Sequence, residues 1–370
     1  MQTVNYGLIG CGMMGQEHMR NIALLAGARV AAIFDPDDEQ AGLALKIAPN
    51  AKRLASLQDL LEFPELDALV IASPNFLHIS QLVEIGRKRP LPVLVEKPLF
   101  TQAADRSMAA DLAASYPAPI WVAMEYRYMP PLAEFLKALP EATGGPIMLT
   151  IREHRFPFLH KVAAWNRFNE QSGGTLVEKC CHFFDLMRLI MDAHPVRVMA
   201  SGGQAVNHLQ ERYGGLVPDI WDHAYVIVEF DNGSRAMLEL SMFAEGSDYQ
   251  EELTAVGPKG KIQVRIPGPQ RFWPSEAGPP PVADLTISPR QPKAPIKRDI
   301  PVDPTLLEAG DHNGATYYQH LKFLKVIRGQ AQPEVTLEHG ALAVELGIAA
   351  QHSAATGQAV GLLRSAGPGF

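Results

Sequence analysis

At 370 residues, with 47% hydrophobic and 20% charged side chains, the chain is long enough for two domains and has the composition of a soluble globular protein. A formal net charge of −7 excludes general nucleic-acid binding, which needs a basic surface to neutralise phosphates. No apolar run reaches the length of a membrane span, and Met1 to Tyr6 lack the basic and long apolar regions of a secretion signal, so the expected setting is the cytoplasm, with no membrane partner.

Up to residue 124, short apolar runs alternate with helix-like segments, the rhythm of a parallel sheet built from βαβ units. The expected strands are 4–9, 30–34, 68–72, 93–95 and 120–124. Ser56 with Asp59 reads as a helix start, and Thr101 after Pro98 reads as another N-cap. From Glu125 the rhythm changes. Pro130-Pro131 suits the first turn of a helix ending near Leu139, and a strand over 147–155 follows. A helix is expected over 174–191. Runs at 196–204, 225–230, 235–242, 251–256 and 262–266 then read as an antiparallel sheet, with Asp231-Asn232-Gly233 as a hairpin turn. Residues 267–304 are crowded with proline and predict a long irregular excursion. Helices near 314–328 and 337–356 close the chain.

Three groups of residues carry chemistry. Gly10-Cys11-Gly12-Met13-Met14-Gly15 follows the first strand and opens a helix, where glycines permit a tight turn and close approach of a pyrophosphate to helix N–H groups. Asp35 ends the second strand about twenty residues later, as an acceptor for ribose hydroxyls should. With Pro36-Asp37-Asp38 behind it and no nearby arginine, this end repels a 2′-phosphate and favours NAD over NADP. At later strand ends lie Ser73-Pro74-Asn75 with His78, and Glu96-Lys97-Pro98, where open α/β sheets bind ligands.

The third group is Gly173 to Asp185. Helical spacing puts Glu178, His182 and Asp185 on one face amid apolar neighbours, which permits a catalytic cluster, a metal site or a satisfied buried cluster. No H-E-x-x-H pairing supports a metal, so none is expected. Cys11, Cys180 and Cys181 form neither a disulfide framework nor a paired metal spacing and are expected reduced, with Cys180 and Cys181 packed as small apolar groups.

Taken together, Gly10 to Gly15, Ser73-Pro74-Asn75 with His78, Glu96-Lys97-Pro98, Tyr126-Arg127-Tyr128-Met129-Pro130 and the Gly-Gly then acid-x-x-x-His-x-x-Asp motif of 173–185 resemble the Gfo/Idh/MocA oxidoreductase family. The resemblance implies an α/β protein: an N-terminal Rossmann domain over 1–124 with a parallel sheet, and a C-terminal α/β domain over 125–370 with a large, predominantly antiparallel open sheet. That second domain would bind substrate and join subunits as a homodimer or homotetramer. The implied activity is hydride transfer between NAD and a secondary hydroxyl of a sugar, cyclitol or similar polyol. The same fold also serves NAD-dependent glycosidases without net redox change, and non-catalytic sugar or nucleotide sensors.

By position, Lys97 matches the family's catalytic lysine and His182 the histidine that carries the substrate proton. Glu178 stands where many members have aspartate, and Lys179 departs from the small residues usual there. The cofactor-binding set is Gly10, Gly12, Met13, Met14, Gly15, Asp35, Ser73, Pro74, Asn75, His78, Glu96 and Lys97. Histidine titrates in the range needed to take a hydroxyl proton, and a lysine ammonium stabilises the developing alkoxide. The expected active site lies in the cleft between the domains. Tyr126, Tyr128, Arg155, Lys161, Trp165, Asn166 and His312 are expected substrate contacts, since a polyol pocket combines hydroxyl-binding groups with an aromatic wall.

Overall fold

Six strands of the N-terminal region form one parallel sheet in this computed structural model, which describes residues 3–362. They are β1 (Val4–Ile9), β2 (Ala28–Phe34), β3 (Lys52–Leu54), β4 (Ala68–Ile71), β5 (Val93–Val95) and β6 (Ile120–Val122), in the order β3-β2-β1-β4-β5-β6. The central strands are continuous apolar runs because helices cover both faces: every residue of β4 and β5 is fully buried. Between the strands run α1 (Met13–Ala23), α2 (Asp38–Ile47), α3 (Leu57–Glu62), α4 (His78–Lys88) and α5 (Arg106–Ser115).

Local chemistry fixes several starts. Asp37 caps α2 by accepting from the Gln40 N–H, and Ser56 caps α3 by accepting from the Asp59 N–H. Thr101 does not cap a helix; the chain first makes a short 3-10 turn at Ala103–Asp105, and α5 begins at Arg106. β3 escapes the sequence pattern because it has three residues, two of them exposed and cationic. The strand order reverses between β1 and β4, so the Gly10 turn and the Ser73 loop leave adjacent strand ends, where such sheets bind ligands.

Next come α6 (Pro130–Thr143), β7 (Met148–His154), the short helices α7 (Asn169–Ser172) and α8 (Thr175–Glu178), then α9 (Cys181–Met191). The strands β8 (Pro195–Gly203), β9 (His223–Phe230), β10 (Arg235–Ser241), β11 (Glu251–Gly257), β12 (Gly260–Ile266), β13 (Asp284–Pro289) and β14 (Ile296–Asp299) follow. Then come the helices α10 (Pro304–Ala309), α11 (Ala315–Ile327) and α12 (Leu337–Thr356), and finally β15 (Val360–Gly361). The second sheet has nine strands in the order β14-β13-β12-β11-β7-β10-β9-β8-β15, antiparallel except where β7 and β10 run parallel.

Three expectations are corrected here. α6 runs past Leu139 to Thr143, because Pro140 falls in its last turn, where its missing N–H forfeits a single bond. The proline-rich stretch contains the hairpin β13–β14, since Leu285 and Ile287 alternate inward opposite Val264 and Ile262. The expected helix over 174–191 is interrupted at Lys179 and Cys180, so Glu178 closes α8 while His182 and Asp185 belong to α9.

Two units emerge from the packing. Of the described residues, 160–173 and 315–345 pack with 3–125, while 126–159, 174–314 and 346–362 form the other. In the first unit α11 lies against α1, and the Val335 carbonyl accepts from the Val122 N–H. In the second, α6 covers β11, β12 and β13 and α9 lies on β7. Most inward positions of the sheet are apolar, but Glu153 of β7 and Glu251 of β11 are buried there and stand directly opposite each other. Among the described residues, no helix is long and apolar enough to cross a membrane.

Candidate functional site

In the first unit the three glycines of the turn do different work. Gly10 has φ +90°, and a Cβ there would stand 2.5 Å from the Ser73 nitrogen. A Cβ on Gly15 would stand 2.2 Å from the Gly10 carbonyl oxygen, so this glycine lets the first turn of α1 press onto the loop. A Cβ on Gly12 would meet nothing within 4 Å; its bare backbone faces open space where a ligand can approach. These are the three properties a pyrophosphate cradle needs.

Asp35 closes the same turn from β2. Its Oδ2 accepts from the Cys11 N–H at 2.6 Å and its Oδ1 from the Asp37 N–H at 2.8 Å. Each oxygen keeps a further lone pair, so the carboxylate is oriented and still able to accept from a vicinal diol. β3 places Arg53 in an ion pair with Asp38, an arginine that sequence distance conceals. A cavity of about 610 Å³ joins Gly10, Gly12, Met13, Met14 and Asp35 to Ser73, Pro74, Asn75, His78, Glu96 and Lys97. The residues present therefore fit a dinucleotide.

Several residues of the cavity wall also brace it. His78 is fully buried, with Nδ1 2.8 Å from the Pro98 carbonyl and Nε2 2.9 Å from the Ser73 carbonyl, and burial pushes its imidazole below the usual range. It ties the Ser73 loop to the strand end carrying Lys97. Asn75 donates to the Ser172 carbonyl at 3.0 Å, and the Ser73 hydroxyl donates to Gln81 at 2.6 Å.

Glu96 is also committed inward, 2.9 Å from Nε2 of His18, whose Nδ1 lies 2.8 Å from Nε2 of His320. Burial opposes a charge on His18, but the Glu96 carboxylate outweighs it and raises the imidazole above its ordinary value. Burial, with the charge of His18, holds His320 well below its own. The arrangement suits an imidazolium His18 donating to both neighbours. Thr316 of α11 lies beside this group, with its hydroxyl 3.0 Å from Glu17 and 2.6 Å from Glu125.

Lys161 and Trp165 line the same cavity as Gly12 and Asp35, the ammonium lying 4.4 Å from the centre of the indole ring. Between them Ala163 and Ala164 take positive φ values of 55° and 52°, which turn this segment against the cavity. Asn166 is fully buried.

In the second unit His182 is 2% exposed, and its ring lies flat on that of Tyr126, with centroids 4.0 Å apart and planes 7° apart. His312 lies beyond, its ring 6.0 Å from that of Tyr126. Glu178 and Tyr128 are buried beside this region of chain. Asp185 holds the Arg127 guanidinium, with Nε 3.0 Å from Oδ2, and both side chains are buried. Cys180 and Cys181 are fully buried and in no disulfide, and burial pushes the Cys180 thiol well up.

Lys179 donates to the Tyr126 hydroxyl and pairs with Glu153 at 2.8 Å. Burial and the nearby Arg155 guanidinium lower its pKa. Arg155 lies 3.7 Å from Glu153 with its guanidinium over the Phe156 ring. Burial, then the charge of Glu153, pushes the Glu251 carboxyl up to about 7. Glu153 and Glu251 went unremarked in the sequence, although each interrupts an inward apolar alternation, Leu149-Ile151-Glu153 and Glu251-Leu253-Ala255. His18 and His320 gave no comparable signal. Among the described residues, no group of three or more His, Cys, Asp or Glu is placed to hold a metal ion.

Residues 4–124 match the pattern described as "Oxidoreductase family, NAD-binding Rossmann fold", and residues 141–362 match "Oxidoreductase family, C-terminal alpha/beta domain". The chain is 29% identical over 269 residues to inositol 2-dehydrogenase 2 of Saccharopolyspora erythraea, covering 72% of this chain and 74% of the relative. It is 26% identical over 278 residues to the rhizopine catabolism protein MocA of Rhizobium meliloti, covering 75% and 81%. A solved structure of a putative myo-inositol dehydrogenase from Sinorhizobium meliloti shares the fold with a TM-score of 0.77 at 21% identity, over 98% of this chain and all of the other. With both patterns matched in order across nearly its whole length, the chain belongs to the Gfo/Idh/MocA oxidoreductase family, and its first domain is that family's NAD-binding Rossmann fold.

Proposed function

We propose that this protein is an NAD-dependent dehydrogenase that interconverts a secondary hydroxyl of a sugar, cyclitol or related carbohydrate derivative with the ketone. The observation that carries the reading is Lys97, whose side chain belongs to the wall of the cavity that holds the Gly12 turn and Asp35. The relative named inositol 2-dehydrogenase 2 supports the substrate class.

In this reading the Gly10 to Gly15 turn and the start of α1 take the pyrophosphate, Asp35 takes a ribose hydroxyl, and Lys161 and Trp165 serve the nucleotide as part of the cavity wall. Bound NAD supplies the acceptor for the hydride that leaves the carbinol carbon. Lys97 holds the carbinol oxygen and stabilises its growing negative charge. A ring nitrogen of His182 takes the hydroxyl proton, with the Tyr126 ring fixing the imidazole plane and Glu178 orienting neighbouring hydroxyls. Asp35 and Asp37 favour NAD over NADP by repelling a 2′-phosphate, and Arg53 offsets Asp38.

The test is NADH formation across a panel of polyols and sugars at alkaline pH, with wild type and Lys97→Met. The variant is expected to lose turnover while retaining NAD binding by fluorescence titration. Wild-type rates in the variant would remove Lys97 from the chemistry. Glycoside cleavage without net NADH would replace the dehydrogenase reading with redox-neutral hydrolysis.

A further inference from the structure

Lys179 has no part in the chemistry just described, yet its side chain is only 5% exposed, beside the fully buried carboxylate of Glu153. Burying an ammonium carries a desolvation cost of several kcal/mol, and an apolar side chain would fill the same space without it. The ammonium is held at three points. It donates to the Tyr126 hydroxyl, pairs with Glu153, and lies 4.7 Å from the centre of the Tyr126 ring. The other side of the relation is equally defined, for the Tyr126 ring lies flat on His182.

We propose that Lys179 is a positioning residue for His182: anchored by Glu153, it holds the Tyr126 ring against the imidazole and sets a positive charge at the hydroxyl end of that ring, which keeps the imidazole neutral and ready to take a proton. The inference rests on the reading of His182 as the proton acceptor. Its geometry is continuous, from β7 through Glu153 to Lys179, from Lys179 to the hydroxyl end of Tyr126, and from the face of Tyr126 to His182. Glu153 also needs a cation on its own account, since its cross-strand partner is Glu251 and two carboxylates side by side on a buried face repel.

The two ring separations bound the ammonium to within about 9 Å of the imidazole centre, where an interior charge shifts an ionisation equilibrium by roughly tenfold before opposing charges are counted. The other titratable and charged groups around His182 include Glu178 of α8, Asp185 and Arg188 of α9 with Arg127, Arg155 just after β7, Glu251 of β11 and His312. All of them remain when Lys179 is replaced. Removing the ammonium also leaves the Glu153 charge uncompensated, which acts in the same direction on His182. The net expectation is a rise in the His182 pKa of about half to one pH unit.

The test is an NMR titration of the histidine rings in the full chain, with the His182 signal identified from its loss in His182→Gln. Lys179→Met is expected to raise the His182 pKa by that amount. Lys179→Arg, which keeps the charge, is expected to leave it near the wild-type value. The double variant Lys179→Met with Glu153→Gln is expected to undo most of the rise. An unmoved His182 titration in Lys179→Met overturns the proposal. Tyr126→Phe keeps the charge and loses the anchor, so with myo-inositol and NAD, or the most active polyol of the panel, kcat is expected to fall at least about fivefold with little change in the KM for NAD. Unchanged kinetics in Tyr126→Phe overturn the pinning role even if Lys179→Met does not fold. A fully active His182→Gln would sink the proton-acceptor reading instead, and the titration would still report on Lys179.

Discussion

Replacing Glu251 with glutamine removes the proton that the buried Glu153–Glu251 pair must hold near neutrality. In the folded chain the Glu251 carboxyl is pushed from 4.5 up to about 7, first by burial and then by Glu153. Because the folded value lies above the unfolded one, the associated stability is complete below about pH 4.5. It is lost as pH rises, since the unfolded chain releases the proton while the folded chain still holds it. Above about pH 7 the loss levels off, and the gap amounts to about 3 kcal/mol. Glu251→Gln keeps the size of the side chain and a polar end beside Gln250, whose Nε2 lies 2.6 Å from Glu251 Oε1, but it cannot ionise. The variant should therefore gain up to about 3 kcal/mol on wild type between pH 4.5 and 8. The urea dependence of amide exchange in the peptide covering β11 measures this in the second unit alone. The same stability difference between variant and wild type at both pH values would refute the reasoning, because it would mean that Glu251 ionises alike folded and unfolded.

Two further substitutions test other parts of the site. Asp35→Ser removes a charged acceptor at the end of β2, and should cut NAD affinity by about tenfold or more and narrow the kcat/KM preference for NAD over NADP; an unchanged preference would count against the ribose role. Asp185→Asn leaves the buried Arg127 guanidinium without its counter-charge and should cost about 3 to 5 kcal/mol, read as a fall in Tm. An unaltered Tm with lost turnover would move Asp185 from support into the chemistry.

The parts of the fold that could be read from sequence were those where one element explains itself. β4 and β5 are unbroken apolar runs, α3 starts on a serine that caps it, and the glycine turn carries its geometry in three residues. What escaped was set by neighbours distant in sequence. β3 is a strand only because β2 lies beside it, and the hairpin of β13 and β14 exists because β12 offers an edge. In the site, Asp35 and the glycines were legible because their spacing follows one βαβ unit, and Lys97 because Glu96-Lys97-Pro98 leaves the apolar run of β5. The role of Glu96 was not, because its partner His18 lies 78 residues away on α1. Lys161 and Trp165 read as polyol contacts by residue type, and they lie in the wall of the cavity that holds both the glycine turn and Lys97. The separation of Glu178 from α9 depends on a break at Lys179 and Cys180 that no proline or glycine announces.

The first unit is written in three instalments along the chain, and that sets a timetable for synthesis. Residues 1–125 emerge early with Glu17, His18 and Glu125 destined for the interior, but Thr316 and His320, which meet them there, come from the third instalment, 315–345. At about 5 to 20 residues per second a ribosome needs roughly 10 to 40 s to cover that distance. During that interval Glu17, His18 and Glu125 lie in the future core of the nascent nucleotide-binding sheet while Thr316 and His320 are still untranslated. A fragment ending at residue 124 would keep Glu17 and His18 but lack Glu125, Thr316 and His320. Transplanting the first domain to change cofactor preference would leave behind Lys161 and Trp165 as well as the helix that closes the polar core.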